Sequence, residues 1–401
     1  MNILIPNAAS PKNIGDLAIL VGLLTVLPKN FNISMHAHDP HFLSKEIGRA
    51  RISKTLYRWA VFEKKDVFTR AKRTTLLLLS ILFKARFSSQ STLNKILKDY
   101  DDADILLFTG GGYLRSQKGI TQSLNLLMLL LMFYYATTCK AKKIIAPISF
   151  GPFAYKWQER LAAFVIKNFD VIMVREKYSH KILKKYGLQN VLLSADTSLL
   201  LKYPKKKCTH DKLTLGFTIR KWLEDEGQKT FEDNFAKAII SFSQQTNAIV
   251  QPIVQVDAPE YGDIDLEITQ NIVNTLHQNK IQTNKIVRVT NLSTADVYSK
   301  SDLLLGVRMH SNILAALQGT PYVAVAYEYK TTGISDFIGV KNYCIDINKI
   351  NARILNEKLL LLEKNRNQVS QELLHSLKTI RTQEMKVWKD IFLGRYYFNL
   401  K

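Results

Sequence analysis

The stretch LLLGVRMHSNILAALQGTPYVAVAYEYK, residues 303–330, alternates between the apolar pattern of a strand and that of a helix, and this alternation decides the fold. A short apolar run typical of a buried strand is followed by the apolar spacing of a helix and then by a second apolar run. Arg308 and His310 stand where the first run ends and the helix begins. The stretch therefore predicts a β-α-β unit with a fixed cation and a titratable imidazole at the carboxyl end of its first strand.

The same alternation extends in both directions along the chain. Apolar runs such as MNILIPN, ADILLFTGGG and FDVIMVRE are separated by helical segments in the first half, and runs such as LTLGFTIR and AIVQPIVQV repeat the pattern in the second. Between them, KYPKKKCTHDK breaks the pattern with a proline and a charge run. Continuous Ile, Leu and Val runs indicate parallel sheets covered on both faces.

The predicted fold class is therefore α/β, with two doubly wound Rossmann-like domains facing a cleft. The N-terminal domain is predicted over 1–204, a linker over 205–212, and the C-terminal domain over 213–401, which ends in long charged helices. Ligands of such sheets bind beyond the carboxyl ends of the strands. We expect the active site there.

The chain is strongly basic, with 56 Lys and Arg against 34 Asp and Glu, a formal net charge of +22 over 401 residues. An excess of this size indicates an anionic partner: nucleic acid, an acidic lipid surface or a phosphorylated ligand. The cations are spread along the chain without a zinc finger, RNP motif or basic arm, so no nucleic-acid partner is predicted. The three cysteines lie far apart without ligand spacing, which predicts reduced thiols.

Neither a targeting segment nor a membrane span is predicted. MNILIP enters a strand directly, and the apolar run at 124–136 is too short to cross a bilayer and is typical of a buried helix. We therefore expect a cytoplasmic protein, attached at most to a membrane surface.

Arg308 and His310 are the leading candidates for chemistry. A guanidinium donates two parallel hydrogen bonds to phosphate or carboxylate, and a helix N-terminus adds a positive dipole. Imidazole can transfer a proton near neutral pH. The alternative is structural: an arginine paired with a carboxylate and a buried histidine that caps the helix.

Other candidates follow other predicted strands. Asn13, Gly15 and Asp16 belong to the NIGD segment, in which Asp16 is either a general base or a helix cap. Gly110, Gly111 and Gly112 allow either a phosphate-binding turn or a tight connection to a helix. Arg175 is either a ligand contact or half of an ion pair with Glu176, and Tyr327, Glu328 and Lys330 follow the last of these strands. The carboxylates of Asp102–Asp104 and Asp263–Asp265 are better explained as caps or turns than as metal ligands, and no metal site or cofactor is predicted.

Taken together, NIGD, TGGGYL, SFGP, VREKYS, ADTSLLL and GVRMHSNILAALQGTP…AYEYK resemble the polysaccharide pyruvyl transferase family over about the first 340 residues. The resemblance implies a fold like that of two-domain GT-B glycosyltransferases. It also implies transfer of the enolpyruvyl unit of phosphoenolpyruvate to two hydroxyls of a sugar, which gives a pyruvate ketal and phosphate.

By that resemblance, the N-terminal domain carries the acceptor side and the C-terminal domain the donor side. The family's Arg-x-His falls on Arg308 and His310, and its earlier Arg-acid-x-x-Ser falls on Arg175 to Ser179. The arginines would hold the phosphate and carboxylate. From the chemistry of this reaction we further expect Lys330 to assist the arginines, His310 to be the acid or the base, and Asp16 to activate or orient the acceptor. Glu176 replaces the commoner Asp, and Thr197 stands where Pro is usual.

A segment of the chain and the function each fit more than one interpretation. The segment 64–87 mixes Lys and Arg with a dense apolar run, which fits either an anionic bilayer surface near a lipid-linked acceptor or a core helix with basic flanks. The function has two alternatives: a nucleotide-sugar glycosyltransferase, with Glu328 on the ribose, and a sugar-binding protein without catalysis.

Overall fold

The computed structural model describes residues 1–8, 13–47, 50–56, 67–83, 91–203, 212–223, 225–258 and 263–395. Strands are numbered along the chain: β1 (Asn2–Ala8), β2 (Asn32–Ala37), β3 (Arg51–Lys54), β4 (Ile105–Phe108), β5 (Gly111–Leu114), β6 (Lys142–Phe150), β7 (Val171–Val174), β8 (Val191–Leu193), β9 (Thr214–Thr218), β10 (Ile249–Val254), β11 (Asp257–Ala258), β12 (Asp263–Ile264), β13 (Val287–Arg288), β14 (Leu303–Gly306), β15 (Tyr322–Ala326) and β16 (Cys344–Asp346).

The α-helices are numbered in the same way: α1 (Ile14–Leu24), α2 (Pro40–Glu46), α3 (Val67–Leu82), α4 (Ser91–Asp101), α5 (Ile120–Thr138), α6 (Lys156–Ile166), α7 (Lys177–Lys185), α8 (Asp225–Thr246), α9 (Asp265–Gln278), α10 (Met309–Leu317), α11 (Tyr329–Phe337) and α12 (Ala352–Phe392). Short 3-10 turns, such as Thr197–Leu200 and Thr294–Lys300, connect some of them.

The first sheet has eight strands in the order β3-β2-β1-β4-β6-β7-β8, with β5 paired to β6. Its pairings are parallel, and β4 and β7 are buried along their whole length. This burial explains their uninterrupted Ile, Leu, Val and Phe runs, because helices cover both faces of a parallel sheet. The order reverses between β1 and β4, where the Asn7 side chain accepts a hydrogen bond from the Thr109 amide at 2.9 Å.

The second sheet has six strands in the order β13-β10-β9-β14-β15-β16, also paired in parallel. Counted from β9, this is the doubly wound order of a Rossmann fold, and the order reverses between β9 and β14. The chain direction of β14 is therefore the same as that of its neighbours β9 and β15. Their carboxyl ends lie at one edge of the sheet.

The described residues divide into two compact units. Residues 1–8, 23–197 and 389–395 belong to the first, and residues 13–22 and 198–388 belong to the second. The α/β class with two Rossmann-like domains, predicted from the sequence, is confirmed. The division differs from the expected boundary because the start of α1 joins the second unit and the end of α12 joins the first. The predicted linker lies almost entirely in residues 204–211, outside the described residues.

The end of α12 contacts the first sheet through identifiable side chains. Lys142 Nζ donates a hydrogen bond of 2.7 Å to the Ile391 carbonyl, and the Phe31 and Phe392 rings meet edge to face at 6.0 Å. The charged C-terminal segment is one helix of 41 residues, where the sequence predicts several. Its buried Leu355, Leu359, Leu362, Leu373 and Trp388 form the apolar side that holds it in place.

Candidate functional site

The site lies at the carboxyl edge of the second sheet, where the strand order reverses. The Thr218 and Ser311 hydroxyls, at the end of β9 and in the first turn of α10, are 2.8 Å apart. The Val307 amide donates to the Thr218 carbonyl at 3.2 Å. Because α10 and α11 each begin directly after neighbouring parallel strands, their N-termini and positive dipole ends lie at this same edge.

Arg308 lies between β14 and α10, at the N-cap of the helix, and the residue is only 8% exposed. Its Nε and one terminal nitrogen donate to the two carboxylate oxygens of Asp265 at 2.9 and 2.5 Å. Asp265 also accepts from the Val256 amide at 3.1 Å. The carboxylate therefore fixes the guanidinium in one orientation and balances its charge. Asp265, set aside at the level of sequence as a helix cap or turn, is the partner of Arg308.

Arg220 was not identified from the sequence, and it stands two residues beyond β9. Its guanidinium lies 4.9 Å from the centre of the Tyr327 ring and 5.1 Å from that of Trp222, and it donates to the Tyr327 hydroxyl at 3.0 Å. The Trp222 and Tyr327 rings are 4.4 Å apart. A guanidinium that lies close to two ring faces and bonds a phenol hydroxyl keeps its orientation at little entropic cost. The run LTLGFTIR does contain the signal, since its Arg ends a predicted strand.

Lys330 and Glu328 form an ion pair of 2.5 Å at the start of α11. The Glu328 side chain is 7% exposed and the Lys330 side chain 17%. Lys330 Nζ also lies 6.0 Å from the centre of the Tyr327 ring. Tyr327 is therefore the residue that connects the cations of this sheet edge.

Tyr327 lies among charged groups that oppose the effect of its burial. Desolvation by itself favours the neutral phenol, but the positive charges of Lys330, Arg220 and Arg308 together lower the pKa of Tyr327 below its ordinary value. Buried tyrosines without such neighbours behave in the opposite way, and burial raises the pKa of Tyr298. The carboxyl edge of the second sheet is thus a region of positive potential, even with Asp265 and Glu328 present.

His310 lies in the first turn of α10 and is partly exposed. A Cβ atom at Gly15 would lie 2.3 Å from His310 Nδ1 and 2.6 Å from its Cγ, so the imidazole packs directly on the Gly15 backbone. Residues 13–22 belong to the same unit as His310, and Asn13 pairs with Val256 beside β10. The structure therefore brings the NIGD segment and His310 together.

The other NIGD side chains have local roles as well. The Asn13 side chain accepts from the Gly15 amide at 3.0 Å, and its carbonyl accepts from the Asp16 amide at 3.0 Å. Asn13 thus forms the turn that begins α1. Asp16 is partly exposed in the first turn of that helix. Its predicted role at the acceptor stays a prediction.

Arg175 lies in the first unit, directly after β7, and is 1% exposed. It donates to Asp196 at 2.6 Å and to the Ser149 hydroxyl at 2.8 Å, and Ser149 donates to Glu176 at 3.1 Å. Desolvation raises the pKa of Glu176 despite the neighbouring guanidinium. These contacts give Arg175 a structural role in the first unit. Its predicted donor contact stays a prediction.

The glycines at 110–112 do not form a turn into a helix. Gly111 and Gly112 are part of β5, Gly111 has a φ of +128°, and α5 begins only at Ile120. Gly111 pairs with Ile148 of β6. Substrate binding by Gly110, Gly111 and Gly112 stays a prediction, without a helix N-terminus beside them. Among the described residues, no group of three or more His, Cys, Asp and Glu side chains is placed to hold a metal ion.

Comparisons with known proteins were made on both sequence and structure. The profile of a family described as polysaccharide pyruvyl transferase matches residues 13–329. The amylovoran biosynthesis protein AmsJ of Erwinia amylovora is 22% identical over 271 residues, which cover 63% of this chain and 65% of AmsJ. The chain thus spans just under two thirds of that relative.

Solved structures with a similar fold are more distant in sequence. A putative UDP-N-acetylglucosamine 2-epimerase from Listeria monocytogenes aligns with a TM-score of 0.61 at 12% identity, covering 100% of this chain and 99% of its own. A glycosyltransferase from Rickettsia africae gives 0.58 at 11% identity, with 98% of both chains covered. At this identity the likeness concerns the fold alone, and it agrees with the expected GT-B-like architecture.

Proposed function

The chain belongs to the polysaccharide pyruvyl transferase family, and we propose that it transfers pyruvate as a ketal from phosphoenolpyruvate to two hydroxyls of a sugar. The acceptor belongs to a bacterial surface polysaccharide, a glycolipid or a precursor of these. Phosphate is the second product. The similarity to AmsJ supports a role in polysaccharide biosynthesis.

One observation carries the proposal: Arg220 and Lys330 lie against the Tyr327 ring, and Arg308 follows the neighbouring strand at the same sheet edge. The charges of these three residues lower the pKa of Tyr327, in agreement with that placement. A donor with close to three negative charges gains the most binding free energy at a site whose cations are already in place. No side chain then has to be reoriented when the donor binds. The N-termini of α10 and α11 add oriented amide dipoles at the same edge. Arg308 is held by Asp265, Lys330 is paired with Glu328, and Arg220 lies against Tyr327, and we assign these three cations to the phosphate and carboxylate of the donor.

The reaction needs proton transfer at two places. Protonation of the donor's methylene carbon makes the adjacent carbon cationic, and a sugar hydroxyl attacks it. The C–O bond to phosphate then breaks, and the second hydroxyl closes the ketal. One proton ends on the new methyl group and the other leaves with the phosphate. His310 either delivers the proton to the methylene carbon or accepts one from a hydroxyl.

The proposal places the enzyme in the cytoplasm, at the inner face of the membrane, where a lipid-linked sugar would be presented. The segment 64–87 was the sequence-based candidate for membrane contact. In its described part, α3, Leu77 and Ile81 are buried and Phe68 is 87% exposed. The helix thus has a core-facing side, and residues 64–66 and 84–87 lie outside the described residues.

The experiment is phosphate release from phosphoenolpyruvate across a panel of sugar acceptors, without added metal. Thermal stabilisation by phosphoenolpyruvate, compared with a panel of nucleotide sugars, tests the donor class separately. We expect stabilisation by phosphoenolpyruvate and phosphate release that depends on the acceptor. Stabilisation by a nucleotide sugar alone would favour a glycosyltransferase on the same fold. Binding without phosphate release would favour a sugar-binding protein.

His310→Ala and Arg220→Ala separate the two roles at this site. The first should mainly lower kcat, because it removes the proton-transfer group. The second should mainly raise KM for the donor by about tenfold or more, because it removes a charge-assisted contact. Arg220 is a cleaner choice than Arg308, whose removal would leave the Asp265 carboxylate buried without its ion pair. Unchanged turnover in His310→Ala would contradict the proton-transfer role.

A further inference from the structure

The helix α5 is apolar on more sides than its place in the fold requires. It connects β5 to β6 and buries Leu126, Leu130, Met132 and Phe133 in the first unit. It is also the helix among the described residues that is long and apolar enough to cross a membrane. Its buried face identifies it as a crossover helix of the sheet. This role in the sheet does not explain why the opposite face of α5 is apolar as well.

That outer face carries a continuous apolar stripe. Ile120 is 82% exposed, Leu124 55% and Tyr134 40%, and Leu127 and the partly exposed Leu131 lie between them. The spacing of four, three, four and three residues places all five side chains on one side of the helix. Large exposed apolar surfaces of this kind mark contact sites.

The neighbouring helix α6 extends the same surface. Trp157 is 46% exposed and Phe164 56%, with the partly exposed Leu161 between them at the same helical spacing. The Gln158 side chain donates to the Ser123 hydroxyl at 3.0 Å and accepts from that of Ser116. These bonds hold the N-terminal ends of α5 and α6 side by side. We call the surface of residues 120, 124, 127, 157, 161 and 164 the α5–α6 face.

The charged residues of α5, α6 and the segments that flank them are nearly all basic. Lys118, Arg160 and Lys167 are exposed, and Lys167 Nζ lies 4.3 Å from the centre of the Phe164 ring. Between residues 111 and 168 the sequence contains a single acid, Glu159, which is already bonded to Lys156 and to the Tyr186 hydroxyl. A surface of Leu, Ile, Trp and Phe bordered by Lys and Arg matches an anionic bilayer, with the aromatic rings at headgroup level.

We propose that the α5–α6 face is the surface by which this protein lies on an anionic membrane. The inference rests on the proposed membrane position of the enzyme and identifies the part of the chain responsible. It replaces 64–87 as the contact, since the described part of that segment exposes three large apolar side chains, Phe68, Leu78 and Phe83, and the α5–α6 face combines six on two adjoining helices. A second copy fits less well, because a two-fold contact would bring the basic borders of two identical faces together.

The test is flotation of the full chain with phosphatidylcholine vesicles that contain or lack phosphatidylglycerol. The variant Ile120→Ser/Leu124→Ser/Trp157→Ser removes three exposed anchors. The matched control Phe68→Ser/Phe83→Ser removes two side chains that are 87% and 72% exposed. We expect the wild type and the control to bind the anionic vesicles, and the triple variant to bind at least about tenfold more weakly.

A second variant, Lys118→Glu/Arg160→Glu, keeps the apolar residues and should lose binding to the anionic vesicles as well. Equal flotation of the wild type and both α5–α6 variants would overturn the proposal, as would loss of binding only in the α3 control. Absence of vesicle binding by the wild type, with a dimer that the triple variant dissociates, would make the face an interface between copies instead.

Phosphate release with a water-soluble acceptor keeps the two proposals apart. The triple variant should match the wild type in that assay, because its changes are far in sequence from Arg220, Arg308 and His310 and remove only exposed side chains. Vesicle binding without any phosphate release would disprove the proposed reaction and leave the α5–α6 face standing. Phosphate release together with unchanged flotation of the variants would support the proposed reaction and disprove the role of the α5–α6 face.

Discussion

At the scale of single residues, two glycines set the position of the side chains around the carboxyl end of β14. Gly306 ends that strand, and a Cβ there would lie 1.8 Å from the Asn312 side-chain oxygen. Gly15 leaves room for the His310 imidazole, whose Nδ1 would be 2.3 Å from an added Cβ. Real Cβ atoms do not approach so closely, so any side chain at Gly15 must displace the imidazole. We infer that Gly15 is a positioning residue for His310.

The substitution Gly15→Ala tests this role. Alanine is favoured over glycine within a helix, so a loss of function would come from the displaced imidazole and not from helix propensity. We expect kcat for phosphate release to fall at least about tenfold and its pH profile to shift, since a small misplacement of a catalytic group is costly. Kinetic assays across a pH series would measure both.

Gly227→Ala in α8 is the matched control. The nearest atom to its added Cβ is Leu223 Cβ at 3.6 Å, an ordinary contact. This change should leave activity unaltered and stabilise the protein by about 0.5–1 kcal/mol. Full activity and an unchanged pH profile in Gly15→Ala would show that the imidazole is not positioned by this contact.

At the scale of elements, each unit uses a buried ion pair next to a strand end. Arg308 follows β14 and pairs with Asp265 at the start of α9, while Arg175 follows β7 and pairs with Asp196. Both residues of the second pair are 1% exposed. Such a pair adds little to stability compared with apolar residues, but loss of one partner leaves a buried charge uncompensated. The pairs therefore fix how strands, turns and helices meet.

Asp196→Asn should consequently destabilise the first unit by about 3–5 kcal/mol. Hydrogen exchange of peptides that contain β7 and β8 would show the loss as faster amide exchange. The control is Glu357→Gln on α12, whose partner Arg353 is 3.7 Å away with side chains 62% and 82% exposed. That exposed pair should contribute less than about 1 kcal/mol. Equal exchange in the wild type and Asp196→Asn would mean that the Arg175 charge is balanced by other groups.

At the scale of the whole molecule, the formal net charge of +22 acts in addition to the local contacts. A positive field of this size increases the rate at which anionic ligands meet the protein, and salt screens it. The donor would experience both the overall field and the positive sheet edge around Tyr327. A neutral sugar would experience neither. For the proposed reaction, the charge would therefore favour capture of the donor over that of the acceptor.

Raising the salt concentration from about 50 to about 500 mM should increase KM for phosphoenolpyruvate several-fold. The value of kcat at saturating donor should change little, because the contacts inside the site are screened less. KM for a neutral, water-soluble acceptor is the internal control and should stay nearly constant. A donor KM that does not respond to salt would indicate that the global charge has no part in binding.

The sequence by itself determined the α/β class, the two sets of alternating elements, the family and the position of Arg308 and His310 at a strand end. These features depend on local periodicity and on residue type, both of which can be read along the chain. The helix predicted from the apolar run at 124–136 corresponds to α5, and the helix predicted within 303–330 corresponds to α10.

Only the tertiary structure decided which residues meet. The pairing of Arg308 with Asp265, the contact of Gly15 with His310 and the placement of Arg220 on Tyr327 join residues 43, 295 and 107 positions apart in the chain. The local sequence pattern contains no information about contacts between residues that lie so far apart in the chain. The strand order brings these segments together, and it depends on how a whole sheet buries its apolar surface.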